Sequence, residues 1–319
     1  MKAQKALLQA VKIVVSLGLI IFLVVKISPG RLATQLRQVD PFYIAAAIAV
    51  FFLSSLLGSV QWHLLLRAGG ISLPYRTTFR LYFVGLFFNN FLPANVGGDA
   101  VKIFDVARVG NDPHQVFAVT LLDRVIGITG LCILALTASF ILLPGSHVVN
   151  LKIYIVIFAG CMVPVLALAL NRRLSHWVRR LFSRIRLWGL GRRFEMIFDH
   201  LHSFRSLRLL LGKTILLSLV IQFMRVATHI LVGRSLGIEF EPLGLLYFYV
   251  FVPLLGLVMI LPISINGLGV REGTGVLLFT NIGLSEEQAV LMEFITYAVM
   301  VAVSLMGGFF FLRRNLRRD

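Results

Sequence analysis

Long apolar runs recur along most of the chain and leave little room for a polar surface. Each run has about the 20 residues that a helix needs to cross a bilayer core, and together they occupy 6–25, 41–66, 114–143, 152–170, 212–231, 243–261 and 288–312. Only helices and closed barrels can cross hydrocarbon, because the backbone must satisfy its own hydrogen bonds there. The runs are continuous and not alternating, so they predict helices. We therefore predict an all-α membrane protein, a polytopic bundle of about eight transmembrane helices that includes two broken or re-entrant segments in an internal repeat.

The composition agrees with this pattern and fixes an orientation. Hydrophobic residues make up 58% of the 319 positions and charged residues 14%, whereas a soluble domain carries about 25% charged residues. The net charge of +17 does not require a nucleic-acid partner, because Lys and Arg collect in the cytoplasmic loops of membrane proteins. Cytoplasmic termini place Lys2, Lys5, the eleven basic residues from Arg172 to Lys213 and the four arginines after Leu312 on that side. We predict a multi-pass protein of the cell membrane with both termini cytoplasmic and an even number of crossings.

A basic segment at residues 174–210 divides the chain into two halves. Its apolar residues recur at helical spacing, and Arg173, Arg180 and Arg184 occupy other faces. Such a helix lies on an anionic lipid surface, although an ordinary cytoplasmic loop has the same charge. We predict a single transmembrane domain over residues 1–319, with a first half at about 1–170, the basic segment at about 171–211 and a second half at about 212–319.

Two polar segments interrupt the apolar pattern and resemble each other. Residues 89–102 are NNFLPANVGGDAVK and residues 261–272 are LPISINGLGVRE, so both run from Leu-Pro through Asn to a glycine pair and then charge. Proline removes a backbone donor and disfavours helix in the preceding residue, while glycine permits unusual dihedral angles. We predict that helices break at these residues: Pro93, Gly97, Gly98, Pro262, Gly267 and Gly269.

The paired breaks predict a binding site within the bilayer. Unwound backbone is tolerated there only if protein buries it or it lines a wet cavity, and matched breaks in two halves indicate the binding site of a transporter. New helices are expected to begin near Asp99 and Arg271, and helix amino ends suit an anion such as phosphate. Arg271 would bind phosphate in a bidentate manner and Lys102 as a point charge. The alternative is a pair of packing kinks closed by internal salt bridges, such as Arg271 with Asp99.

Further charged residues lie inside the predicted spans. A charge at the bilayer centre costs about 2.5–3.5 kcal/mol on insertion scales, so such a residue usually faces a cavity or a partner. Asp123 and Arg124 are adjacent, point in different directions and need separate partners, and we expect Arg225 to pair with an acid, either Asp99, Asp123 or Glu272. The predicted substrate-binding residues are Asn89, Asn90, Asn95, Asp99, Lys102, Asp123, Arg124, Arg225, Asn266, Arg271 and Glu272.

The sequence offers little support for catalytic or metal chemistry. Cys132 and Cys161 lie within predicted spans, where core packing is the simplest role, and the seven histidines show no spacing typical of a metal site. The glycines at 267, 269 and 273 do not form a nucleotide loop, since an extra residue precedes the third and no βαβ unit surrounds them. We predict no catalytic residue, no metal and no cofactor.

Several of these motifs together resemble a known family. The matching elements are FLPANVGGD at 91–99, LDRVIG at 122–127, LPISINGLGVRE at 261–272, IGLS at 282–285 and the glycine pair at 307–308. In this order they resemble the lysylphosphatidylglycerol synthase transmembrane, or flippase-like, family, which includes the membrane half of the bacterial multiple peptide resistance factor. The resemblance implies movement of lipids across the bilayer.

The same resemblance does not imply a synthase. The resistance factor carries a soluble aminoacyl-transferase domain after its membrane part, whereas this chain ends at Asp319, just after its last predicted helix. We therefore expect that the chain is not an enzyme. Other relatives are linked to polyprenyl-phosphate sugar pathways, so the resemblance does not identify the lipid.

Three functions are open at this point. We favour a flippase or scramblase for an anionic, aminoacylated or polyprenyl-phosphate-linked lipid, whose head group would occupy an intramembrane polar cavity. The alternatives are an intramembrane lipid-modifying transferase that uses Asp99, Asp123 or Glu272, and a membrane scaffold for a separately encoded lipid-modifying enzyme. Expected partners are a membrane phospholipid or lipid-linked substrate, anionic lipid at 174–210, and either a second copy of the chain or that enzyme. We expect residues 79–98 to re-enter the membrane and residues 262–283 to cross it as a broken helix.

Overall fold

The regular structure of this chain is helical throughout its described part. The computed structural model describes residues 37, 39–90, 97–142, 152–160, 204, 207–260, 267 and 269–315. The helices are α1 (Pro41–Ala68), α2 (Tyr75–Asn89), α3 (Gly97–Ala107), α4 (Pro113–Leu142), α5 (Arg208–Ser235), α6 (Pro242–Val258), α7 (Val270–Phe279) and α8 (Glu286–Asn315). Residues 152–160 are also helical, and a 3-10 turn, Thr280–Ile282, follows α7. The predicted all-α class is confirmed.

Four of these helices are long and apolar enough to cross a membrane. They are α1, α4, α5 and α8, with 28 or 30 residues each, which corresponds to about 42–45 Å. They confirm the predicted spans at 41–66, 114–143, 212–231 and 288–312. The predicted span at 6–25, the second half of that at 152–170, and most of the basic segment at 174–210 lie outside the described residues.

The long helices form a scaffold with alternating directions. Asp40 caps α1 by accepting a hydrogen bond from the Phe42 amide at 2.8 Å, and its own amide donates to the Ser235 carbonyl at the end of α5. Near the other end of α1, the Gln61 side chain donates to Asp123 of α4. α1 therefore runs opposite to α4 and α5. His229 near the end of α5 lies 3.7 Å from Glu293 near the beginning of α8, so α8 also runs opposite to α5.

α2 and α3 form a short helical hairpin, which we call hairpin 1. Their lengths of 15 and 11 residues correspond to about 22 and 16 Å, less than the roughly 30 Å of a bilayer core. The Gly98 amide donates to the Asn89 side chain at 2.8 Å, and the ammonium of Lys102 lies 5.1 Å from the ring centre of Tyr82. The two helices are therefore antiparallel, and hairpin 1 enters and leaves on one side, as the expectation of re-entry for 79–98 requires.

α6 and α7 form a second hairpin, hairpin 2, and here the expectation of a broken crossing was wrong. Phe279, at the end of α7, packs against Phe248 and Phe251 near the beginning of α6, with ring centres 5.0 and 5.7 Å apart. At the other end, Gly267 lies against Met259. With 17 and 10 residues, the helices reach about 26 and 15 Å, so the chain turns back inside the bilayer.

Glycines allow hairpin 1 to pack backbone against backbone. A Cβ added at Gly307 of α8 would collide with the Phe83 carbonyl of α2, and one added at Gly98 would collide with the Gly85 carbonyl. The glycine pair at 307–308 is therefore a helix contact of the kind that small residues allow in membranes.

This contact makes a testable prediction. Gly307→Ala should lower the free energy of unfolding of the purified protein in detergent by about 1–3 kcal/mol, and with it the melting temperature, because an extra methyl group in a filled contact forces the backbones apart. Gly127→Ala in α4 is the matched control, since a Cβ there meets nothing within 4 Å and alanine favours helix by up to about 1 kcal/mol. Equal melting temperatures for the two variants would contradict the packing described here.

Candidate functional site

The tips of the two hairpins meet the same helix at nearly the same level. The Asn90 side chain of hairpin 1 donates to the Ser304 hydroxyl of α8 at 2.6 Å, and the Arg271 guanidinium of hairpin 2 contacts the Met300 sulfur at 3.3 Å. Met300 and Ser304 are one helical turn apart, about 6 Å along the axis, and lie near the middle of α8. The hairpins therefore approach the centre of the bundle from opposite sides.

Each tip presents the beginning of a helix to this central region. α3 begins at Gly97 and α7 at Val270, which agrees with the predicted helix starts near Asp99 and Arg271. Gly267 and Gly269 adopt φ of +74° and +80°, a left-handed conformation that glycine permits at little steric cost. Helix beginnings carry partial positive charge, and in both helices an acid of the first turn, Asp99 or Glu272, offsets part of it.

Asp99 is the centre of a buried ionic cluster beside hairpin 1. One carboxylate oxygen lies 2.7 Å from the Lys102 ammonium, and the other lies 2.5 Å from Nε of Arg124 in α4. The Lys102 ammonium also lies 5.0 and 5.1 Å from the ring centres of Trp62 and Tyr82, a cation–π arrangement. This cluster holds hairpin 1 against α1 and α4.

Asp123 completes the charge balance of this region. Its carboxylate accepts a hydrogen bond from the Gln61 side chain at 2.8 Å, whereas its neighbour Arg124 turns to Asp99. The prediction that Asp123 and Arg124 have separate partners is confirmed. Two acids and two cations make the cluster neutral overall, and the Arg124 side chain is 42% exposed, which leaves it within reach of a ligand.

The environment of Arg271 differs, because its charge has no carboxylate partner among the described residues. The residue is 6% exposed, and its guanidinium stacks 5.4 Å from the ring centre of Tyr297 in α8. The neighbouring Glu272 is 2% exposed, but its carboxylate turns back to accept the Gly269 amide at 2.6 Å and caps α7. The alternative of an Arg271–Asp99 salt bridge was wrong, since Asp99 is occupied by Lys102 and Arg124.

The predicted partners of Arg225 were also wrong. Within the described part of the chain, no acid lies within ion-pair distance of Arg225, and its Nε is buried without a hydrogen-bond partner. The physical reason is that Asp99, Asp123 and Glu272 are engaged by nearer donors. Arg225 therefore contributes positive charge to the interior of the bundle on α5, as Arg271 does on α7.

The remaining predicted site residues divide into described and undescribed positions. Asn89 accepts the Gly98 amide, which closes hairpin 1, and Asn90 fastens its tip to α8. Asn95, Asn266, Pro93 and Pro262 lie outside the described residues. In the part of the chain that the structure describes, no group of three or more His, Cys, Asp or Glu side chains could hold a metal ion.

Sequence reasoning missed four residues of the site. Trp62 and Tyr82 lie beside Lys102, Tyr297 lies beside Arg271, and Gln61 donates to Asp123. They lie in apolar runs, and no local pattern shows which face of a helix they occupy. The one available signal was the dipeptide Gln61-Trp62, in which an amide and an indole side chain interrupt a mostly apolar span.

The Asp99 cluster predicts a structural effect that can be measured. Asp99→Asn should destabilise the protein by about 3–5 kcal/mol, because it leaves the buried ammonium of Lys102 without a compensating charge. Thermal unfolding in detergent checks this, and the double variant Asp99→Asn with Lys102→Met should recover part of the loss. A double variant no more stable than Asp99→Asn would contradict the assignment.

Comparison with known proteins agrees with this architecture. Two similar proteins come from Methanothermobacter thermautotrophicus, and each is described as a UPF0104 membrane protein. The first is 23% identical over 86% of this chain and 86% of its own length. The second is 22% identical over 87% of this chain and 85% of its own length. The glycosyltransferase AglD of Haloferax volcanii is 25% identical over 88% of this chain but only 50% of its own length. This chain is thus similar to about half of that protein.

The profile of one family covers nearly the whole sequence. It is described as the lysylphosphatidylglycerol synthase TM region, and it matches residues 9–308, which include both hairpins, α1, α4, α5, most of α8 and the glycine pair against α2. The chain is a multi-pass membrane protein that belongs to the family of lysylphosphatidylglycerol synthase transmembrane regions.

Proposed function

We propose that this protein moves an anionic lipid across the bilayer, and that hairpins 1 and 2 hold the head group near the middle of α8 while the acyl chains stay in the surrounding lipid. The lipid phosphate would bind Arg271 and the beginnings of α3 and α7. The head-group class that fits is a phosphate ester, whether of an aminoacylated glycerolipid or of a polyprenyl carrier.

One observation carries this proposal, namely the buried Arg271 guanidinium beside the middle of α8, which hairpin 1 also contacts one helical turn away. It is held by an aromatic ring and a thioether, and neither neutralises its charge. A charged side chain inside a membrane usually marks a pathway or pairs with another charge. Phosphate oxygens match the bidentate geometry of arginine, and a helix beginning adds roughly 0.3–1 kcal/mol for an anion.

The outer surface of the bundle supports the second half of the proposal. Large apolar side chains are exposed along the long helices, among them Leu53, Phe140, Leu216 and Phe309. Acyl chains can follow such surfaces, whereas a phosphate cannot cross hydrocarbon without shelter. Arg124, half-buried on the hairpin 1 side, would receive the head group between the lipid surface and the centre.

We also propose an orientation. Arg67, Arg76, Arg80 and Arg208 occur at helix ends that lie on the side of the carboxyl end of α8, and basic residues favour the cytoplasmic side. Hairpin 1 would then enter from the cytoplasm and hairpin 2 from the opposite side. Each leaflet would have its own hairpin, with a common meeting point between them.

The test of the function is lipid exchange in vesicles. Purified protein is reconstituted with a fluorescent phosphatidylglycerol, and an impermeant reductant reports how fast the probe reaches the outer leaflet. Arg271→Gln should slow this exchange by about tenfold to a hundredfold, because a hydrogen bond to a charged group contributes about 1.5–3 kcal/mol.

Arg234→Gln is the matched control. Arg234 also places its guanidinium 5.4 Å from an aromatic ring, that of Phe240, but in the last turn of α5 and away from the hairpin tips. Exchange should proceed in this variant as in the wild type. Equal rates for wild type, Arg271→Gln and Arg234→Gln would refute the proposed site, and protein-free rates for the wild type would refute the function.

A second candidate is a membrane partner of a separately encoded lipid-linked transferase, and the relative named glycosyltransferase AglD favours it. In that case the basic segment at 174–210 would carry the contact. Replacing Arg179, Arg180 and Arg184 with Gln should then abolish formation of that transferase's lipid-linked product in cells, while Arg271→Gln should leave the amount of product unchanged. The lipid-moving function gives the reverse pattern.

A further inference from the structure

A buried pair outside the proposed head-group site joins α5 to α8. Glu293 of α8 is 0% exposed, and its Oε2 lies 3.7 Å from Nε2 of His229 in α5. Neither carboxylate oxygen has a hydrogen-bond partner among the described residues. A fully buried carboxylate without a donor is very unfavourable, so this pair requires an explanation.

The hydrogen bond on the other side of the imidazole supplies one. Nδ1 of His229 lies 3.0 Å from the Arg225 carbonyl, and a carbonyl oxygen only accepts. Nδ1 must therefore carry a hydrogen, and in a neutral imidazole the lone pair of Nε2 would face the carboxylate. Two facing lone pairs repel, whereas a single proton on either Nε2 or Oε2 turns the contact into an attraction.

We infer that His229 and Glu293 together bind one proton inside the membrane, and that this proton is coupled to the movement of the lipid head group. The inference rests on the proposed function for its second part. The proton enters and leaves on Nε2 or Oε2, so loading adds one positive charge to the pair and forms no bond to the lipid.

The contact with hairpin 2 connects the pair to the head-group site. A Cβ at Gly275 of α7 would lie 2.7 Å from Cγ of Glu293, so only glycine lets α7 approach this side chain. When the pair binds a proton, the negative charge of Glu293 beside α7, the helix that carries Arg271, is reduced. When the proton leaves, that negative charge is restored.

Other charged and titratable side chains occur on the helices packed around the pair. They are Arg225 and Arg234 on α5, Arg271 and Glu272 on α7, Glu286, Glu287 and Tyr297 on α8, and Tyr247 and Tyr249 on α6. The titratable side chains of α1, α2 and α4 are concentrated toward the opposite side of the bundle: His63, Arg67, Tyr75, Arg76, Arg80, Tyr82, His114, Asp123 and Arg124, with Tyr43 at the beginning of α1.

The test measures how a pH difference distributes lipid between the leaflets. Vesicles contain the wild type or a variant, a fluorescent phosphatidylglycerol, and a potassium ionophore that holds the membrane potential at zero. If one proton accompanies each lipid, the leaflet ratio of the probe should shift toward about tenfold for each unit of pH difference. Glu293→Gln and His229→Gln should still exchange lipid, with a ratio that stays near one.

Glu239→Gln is the matched control, since Glu239 is an exposed acid in the connection between α5 and α6, and it should respond as the wild type does. If Glu293→Gln fails to fold, His229→Gln carries the test. The inference is overturned if the variants keep the wild-type shift in leaflet ratio. It is also overturned if the wild type exchanges lipid without any shift in that ratio. In both cases the proposed function stands. A wild type that exchanges no lipid refutes the function and the coupling together.

Proton binding itself has a readout that needs no lipid movement. Infrared difference spectra between acidic and alkaline buffer should contain a carboxylic-acid or imidazolium band that disappears in Glu293→Gln and is retained in Glu239→Gln. Identical spectra for wild type and Glu293→Gln would overturn the proton site.

Discussion

A peptide group without a hydrogen bond in hydrocarbon costs several kcal/mol, and this constraint organises the molecule. Two helices break within the bilayer, so protein must cover each break. α8 provides much of this cover, because its glycines accept the backbone of hairpin 1, Ser304 accepts Asn90, and Tyr297 and Met300 receive Arg271. The last helix therefore serves as the common wall against which both hairpins end.

The two hairpins use charge in different ways. Around hairpin 1, Asp99, Lys102, Asp123 and Arg124 neutralise one another, and their main effect is to fix helices in place. Around hairpin 2, Arg271 and Arg225 keep their charge without a described carboxylate, because Glu272 is spent on capping α7. A structural ionic cluster beside hairpin 1 and two arginines without a described ion pair beside hairpin 2 thus lie on opposite sides of the middle of α8.

The sequence predicted the long spans and the location of both breaks, because run length, proline and glycine are local signals. It placed the starts of α3 and α7 within two residues. It did not predict that hairpin 2 turns back, since the direction of α7 depends on the distant contacts of Phe279 with α6. The predicted partners of Arg225 and Arg271 were wrong for the same reason, because each partner depends on which face of a neighbouring helix packs against the arginine.

The glycine contact between α2 and α8 has a mechanical consequence. Where backbone touches backbone, no change of side-chain rotamer can loosen the junction, so hairpin 1 and α8 must travel as a rigid body. The junction of α7 with the same helix at Arg271 is made of a ring and a thioether, which deform easily. Any opening of the interior should therefore displace hairpin 2 more than hairpin 1.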